Sequence, residues 1–148
     1  MNLPRLKAFL TKHEGRKSTV YDDKTGEPIV SGSTIFGHPT IGVGRNLSGK
    51  GLSDKEIDYL LYNDIDDAWA DLMSIFPTFS EFSESRQFAL VSLMFMGKKA
   101  FLTFWKMISA INQGDWERAA NEVIDSRYAV QVGKRAIEIA GMIRKGGD

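Results

Sequence analysis

The sequence predicts an α+β protein, mainly helical, on three observations. Residues Thr19 to Leu47 carry Gly, Pro, Ser and Thr punctuation around β-branched residues, Ser53 to Phe76 keep one uninterrupted helical period, and helical spacing fills most of the chain beyond. A small β-containing lobe, a long helix and a helical lobe follow from that order.

Each element has its own local reason. Leu6, Phe9 and Leu10 recur at helical spacing between Pro4 and His13, and Gly15 supplies a stop, so a short amphipathic helix is expected there. Val20-Tyr21, Ile29-Val30, Thr34-Ile35-Phe36 and Thr40-Ile41-Gly42-Val43 read as two or three short antiparallel strands with turns. Ser53-Asp54-Lys55-Glu56 fits a capping box, and Ile57, Leu60, Leu61, Ile65, Ala68, Trp69, Leu72 and Met73 then follow at three- and four-residue intervals until Pro77. Four further helices are expected at about 83–96, 100–113, 116–124 (after an Asp115 cap) and 129–144. Trp69, Trp105 and Trp116 lie on helical stripes and read as core residues.

Composition bounds the chemistry. The 148 residues, 43% hydrophobic and 11% aromatic, suit one folding unit with a real core, 1–148, with sublobes at roughly 12–52, 53–76 and 77–148. Nineteen basic residues balance nineteen acidic ones, so no overall field favours nucleic acid or stable membrane association. The absence of cysteine excludes disulfides, a thiol nucleophile and thiolate metal sites, and His13 and His38 are too few and too far apart to suggest a metal centre. No cofactor motif is present. Met1 to Leu10 lack the apolar run of a secretory signal, and apolar stretches such as Phe88 to Phe95 are far short of a membrane span.

The strongest chemical signal lies between His13 and Leu47. Glu14 falls at a helix end, Asp22-Asp23 at a strand end, and Thr40 opens the Gly-rich run Thr40-Ile41-Gly42-Val43-Gly44-Arg45-Asn46-Leu47. Glycoside hydrolysis needs two such carboxyl groups, one to protonate the leaving oxygen and one to serve the oxocarbenium-like centre or its water. A Glu shielded from water would hold its proton to higher pH than an Asp on a wet hairpin edge. Spacing alone leaves plainer readings open: Glu14 as a surface charge, Asp23 as a turn former, Thr40 as a strand residue, and Gly42 and Gly44 as bulge or close-approach positions.

The pattern Glu14-Gly15, Tyr21-x-Asp23-x-x-Gly26, Thr40-Ile-Gly-Val-Gly44 resembles the phage-type lysozymes, the endolysins of glycoside hydrolase family 24. The resemblance continues through Ser85-Arg86, Ala89-Leu90, Phe95 before Met96-Gly97, Trp116 with Ala119-Ala120, Ser126-Arg127-Tyr128, Gln131 and Arg135-Ala136. It implies a lysozyme-like fold with a cleft between two lobes joined by the long helix, the N-terminal helix 3–13 packing on the helical lobe. It also implies hydrolysis of the β-1,4 bond between N-acetylmuramic acid and N-acetylglucosamine of peptidoglycan, with inversion. On that resemblance Glu14 is the general acid, Asp23 assists the water, Thr40 helps hold it, and Arg135 positions Glu14. Arg45, Asn46, Phe95 and Gln131 would contact substrate, although Phe95 also continues the apolar stripe of Phe88 and Val91 and reads equally as core. Inversion would place the two carboxyl groups about 6.5–9.5 Å apart. Asp22 competes with Asp23, because successive strand side chains point to opposite faces, and the motif register selects Asp23.

The resemblance further implies a monomer made in the host cytoplasm that lyses bacteria from the periplasmic side once a separate holin has permeabilised the membrane. Three features depart from the pattern. Sixteen residues separate Asp23 from Thr40, well over the family hairpin; Met96 stands where a Gln often follows the Phe; and Glu122, beside Asn121, stands where the family has Asn. Two other classes remain: a lytic transglycosylase working with Glu14 alone, and a non-catalytic glycan-binding descendant.

Overall fold

The computed structural model describes residues 1–147, with eight α-helices, one 3-10 turn and a three-stranded antiparallel sheet among them. This is the α+β, mainly helical composition that the sequence predicts. The chain forms two compact units, residues 1–58 and the remainder from Tyr59 onward.

The first unit begins with α1 (Leu3–Glu14), capped by the Asn2 side chain, which accepts from the Arg5 N–H at 3.1 Å, and started by Pro4 in the first turn. It stops at Gly15, whose N–H donates to the Thr11 carbonyl at 2.9 Å. The sheet runs β1 (Lys17–Asp22), β2 (Pro39–Gly42), β3 (Arg45–Asn46) in that spatial order. Tyr21 faces Thr40 and Asp22 faces Pro39 across the first pair; Thr40 faces Asn46 and Ile41 faces Arg45 across the second. Tyr21, Thr40 and Asn46 therefore share one face, and Asp22 lies on the other.

The long connection between β1 and β2 corrects one expectation. Ile29-Val30 and Thr34-Ile35-Phe36 do not form strands; pairing with β1 here consists of a bridge between Tyr21 and Pro28, flanked by bonds from the Asp22 N–H to the Glu27 carbonyl at 2.9 Å and from the Ile29 N–H to the Val20 carbonyl at 3.0 Å. Their β-branched character is not matched by available ladder partners, because the Phe36 and Gly37 amides are taken by the Asp22 carboxylate. Val30, Ile35 and Phe36 are left exposed.

Helix α2 (Asp54–Ile75) contains the boundary between the units and, at 22 residues, is about 33 Å long. The Ser53 hydroxyl accepts from the Glu56 N–H at 3.2 Å, which is half of the expected capping box. In the second unit follow a 3-10 turn (Phe79–Glu81), α3 (Glu84–Met94), α4 (Lys98–Phe101), α5 (Trp105–Asn112), α6 (Trp116–Ile124), α7 (Arg127–Val132) and α8 (Lys134–Lys145). Ser83, Asp115 and Ser126 cap α3, α6 and α7 by accepting from the backbone three residues on.

Two expected helices are each divided. The 100–113 segment breaks between Phe101 and Trp105, where the Thr103 hydroxyl donates back to the Ala100 carbonyl at 2.6 Å and Phe101 and Phe104 both turn into the core. The 129–144 segment starts earlier, at the Ser126 cap, and breaks at Gly133, whose φ of 55° and ψ of −114° leave the helical region.

The core of this unit is built on Leu72, Phe76, Phe79, Leu90, Leu93, Phe101, Met107, Val123 and Ile143, all fully buried. Each contributes on the order of 2–3 kcal/mol through apolar area removed from water. Arg86 closes the end of α8: its Nε donates to the Ile143 carbonyl at 2.9 Å, its Nη2 to the Arg144 carbonyl at 3.4 Å, and its guanidinium lies 3.9 Å from the Trp116 ring centre. Burial lowers the Arg86 pKa from its ordinary value. The tryptophan expectation needs correction. Trp116 is packed between Arg86 and Phe82 (ring centres 5.0 Å apart), but Trp69 is 37% exposed and Trp105 is 65% exposed. A helical stripe marks a face and does not say whether anything covers it.

Candidate catalytic site

Within the first unit, Glu14 is the last residue of α1, and the β2–β3 hairpin comes up against it. A Cβ built on Gly44 would lie 3.2 Å from Glu14 Oε2 and 3.6 Å from Glu14 Cβ, and Gly44 has a φ of 70°. Both the space and the conformation call for glycine there. The Gly-rich run therefore lets backbone approach the carboxyl group without a side chain between them.

Asp22 and Asp23 are adjacent in sequence and opposite in circumstance. Asp22 is 3% exposed, and its carboxylate accepts from Phe36 N at 2.7 Å, Gly37 N at 2.9 Å and Lys24 N at 2.9 Å. These bonds, the one from Phe36 foremost, lower its pKa against the opposing effect of burial. Asp22 is the anchor of the long connection. Asp23 has a side chain 41% exposed, and its Oδ1 accepts from His38 N at 2.6 Å. Gly37 makes this arrangement possible, since a Cβ there would overlap Asp23 Oδ1 and fall 2.7 Å from Asp22 Oδ1. Of the two aspartates, Asp23 is the one whose carboxylate keeps lone pairs open to solvent.

Thr40 is 3% exposed, and its hydroxyl donates to the His38 carbonyl at 2.9 Å. That commits the hydroxyl proton and leaves the oxygen as an acceptor. Asp23 and Thr40 thus meet through one residue, His38. His38 was considered only as a metal ligand; the available signal was its place two residues before Thr40, immediately ahead of β2.

Arg45 and Asn46 have structural partners. The Arg45 guanidinium pairs with both carboxylate oxygens of Glu56, with Nη2 to Oε1 at 3.0 Å, and Nη1 donates to the Gly51 carbonyl at 3.2 Å. This pairing lowers the Glu56 pKa and raises that of Arg45. The Ser53 backbone and hydroxyl lower the Glu56 pKa further, so this carboxylate serves both Arg45 and its own helix start. Asn46 Oδ1 accepts from Gly49 N at 2.8 Å and from the Ser48 hydroxyl at 3.0 Å, closing the turn after β3.

The other candidate residues belong to the second unit. Phe95 is 48% exposed, not core, and lines an apolar groove of about 370 Å³ with Ile65, Trp69, Phe88, Val91 and Ser92. Arg135 Nη2 donates to the Ser92 hydroxyl at 3.2 Å. Gln131 lines a different pocket of about 440 Å³ beside Met96, Phe104, Arg127 and Tyr128, whose buried hydroxyl has no hydrogen-bond partner among the described residues. Asn121, neighbour of the divergent Glu122, is engaged by Arg144 at 3.0 Å. Among the described residues no group of three His, Cys, Asp or Glu comes together, and no helix is long and apolar enough to cross a membrane.

Comparison with known proteins accords with the motif. The pre-baseplate central spike protein Gp5 of Enterobacteria phage T4 is 29% identical over 156 aligned positions, which take in 93% of this chain and 27% of that protein. The chain thus spans well under half the length of that relative. The family model for phage lysozyme matches residues 11–146, a span holding Glu14, Asp23 and Thr40 and every second-half residue of the motif. With its mainly helical α+β fold and a match over nearly its whole length, the chain belongs to the phage lysozyme family.

Proposed function

We propose that this chain is a muramidase that cleaves the β-1,4 bond between N-acetylmuramic acid and N-acetylglucosamine with inversion. The observation that carries the reading is the division of labour at residues 22 and 23: one carboxylate is consumed by the fold, and the other stays open beside Thr40. Glu14 donates its proton to the glycosidic oxygen as the C1–O bond breaks. Water attacks C1 from the opposite face of the sugar, giving one proton to Asp23. Thr40, its own proton held by the His38 carbonyl, accepts the water's second hydrogen and so directs a water lone pair at C1. The roles of Arg45, Asn46, Phe95, Gln131 and Arg135 toward substrate follow from the family motif alone.

This chemistry suits an endolysin that reaches the periplasmic wall after a holin opens the membrane and that acts as a monomer without a cofactor. The similarity to a central spike protein favours a second setting for the same chemistry, local wall cleavage by a spike. The two settings differ in whether the protein resides in the virion.

Mass spectrometry of digested peptidoglycan tests the reaction. Fragments ending in reducing N-acetylmuramic acid, heavier by one water than the anhydro form, are expected. Anhydro-muramic ends would replace hydrolysis by transglycosylation, and an unchanged wall would leave only a glycan-binding fold.

A further inference from the structure

We propose that His38 is a positioning residue for Asp23, a role that rests on the reading of Asp23 as the group that takes the water's proton. Four contacts converge on this one residue. Its N–H donates to Asp23 Oδ1 at 2.6 Å, its Nδ1 stands 3.4 Å from Asp23 Oδ2, its carbonyl accepts from Asp23 N at 3.2 Å, and the same carbonyl accepts from the Thr40 hydroxyl at 2.9 Å.

These contacts do different things. A carboxylate held at one oxygen still turns about its Cβ–Cγ bond, which is broad and roughly two-fold. The imidazole beside the second oxygen fixes the plane of the group, and each oxygen retains a lone pair for the water. The shared carbonyl sets the Thr40 oxygen in register with that plane. The His38 side chain is 61% exposed, so its value does not lie in packing.

The long connection gives His38 its place. Asp22 holds the amides of Phe36 and Gly37, the two residues before it, and β2 begins at Pro39, the residue after it. His38 is therefore pinned on both sides, which an exposed loop residue otherwise is not. In this account the enlarged connection is the support that carries an extra side chain to Asp23.

The test is a double-mutant cycle on peptidoglycan turnover with kcat and KM measured separately, using His38→Ala, Asp23→Asn and the pair, with His38→Gln as the conservative variant. His38→Ala is expected to lower kcat about 10-fold with KM and thermal midpoint unchanged. His38→Gln, whose amide reaches toward the same oxygen, is expected to recover most of the loss. In the Asp23→Asn background, His38→Ala is expected to change nothing further. Parent-like kcat in His38→Ala, or an undiminished 10-fold loss in the Asp23→Asn background, overturns the positioning role alone. Parent-like activity in Asp23→Asn overturns the reading of Asp23 itself, and the positioning role with it.

Discussion

Glu14→Gln is expected to lower peptidoglycan turnover by about 10³-fold while leaving the thermal midpoint where it was. The loss is the full effect of general acid catalysis, since an amide of the same shape has no proton to give the leaving oxygen at neutral pH. The midpoint holds because, within the first unit, no hydrogen bond or ion pair engages the Glu14 carboxylate, and Gly44 meets the same outline in Gln as in Glu. Turnover by released reducing ends, set beside a melting curve, checks both halves. Activity within a few-fold of the parent would remove Glu14 from the mechanism.

Asp22→Asn and Asp23→Asn are expected to separate cleanly, although the residues are neighbours. Asp23→Asn costs about 10²–10³-fold in kcat, because the water loses its proton acceptor, and leaves folding intact. Asp22→Asn acts on the fold: one amide oxygen cannot serve the three backbone donors that the carboxylate satisfies, and an NH₂ is turned toward them. Residues 24–38 then become open to limited proteolysis, and activity falls through the lost placement of His38 and Asp23. The pH dependence has a definite sign. The Asp22 pKa is lowered in the folded state, so its contribution is fully present above the unfolded value of about 3.9 and is lost as pH falls below it toward the folded value. Acid unfolding of the parent should therefore steepen below about pH 4, and the Asp22→Asn variant should lack that component. If instead Asp22→Asn is stable and inactive while Asp23→Asn is active, the two roles are exchanged.

Helices with strong local boundaries were legible in the sequence. Gly15 ends α1, Ser53 and Pro77 bracket α2, and Asp115 starts α6, each through a backbone group that one nearby residue satisfies or removes. What escaped had its cause at a distance. Nothing in Thr34-Ile35-Phe36 distinguishes a strand from a loop whose amides bond to a carboxylate fourteen residues earlier. Glu56 was legible as part of a helix start, whereas its pairing with Arg45, eleven residues earlier, was not. Thr103 and Gly133 divide helices whose apolar spacing runs on unbroken, because periodicity records which face is buried and not whether the backbone stays helical.

The site divides in the same way. Glu14, Asp23 and Thr40 were nameable from a motif, while the choice between Asp22 and Asp23 gains a physical basis only from burial and the three amides on Asp22. His38 carried a signal in its place two residues before Thr40, but its meaning depends on a loop whose conformation is set by Asp22.

The central claim, inverting hydrolysis by Glu14 with water directed by Asp23 and Thr40, is tested most directly by proton NMR of the anomeric region during the first minutes of glycan cleavage. Attack on the face opposite the β-1,4 bond predicts that the α-anomer of the new reducing end appears first and the β-anomer grows in only by mutarotation. The β-anomer appearing first would mean that configuration is retained, and would contradict the account.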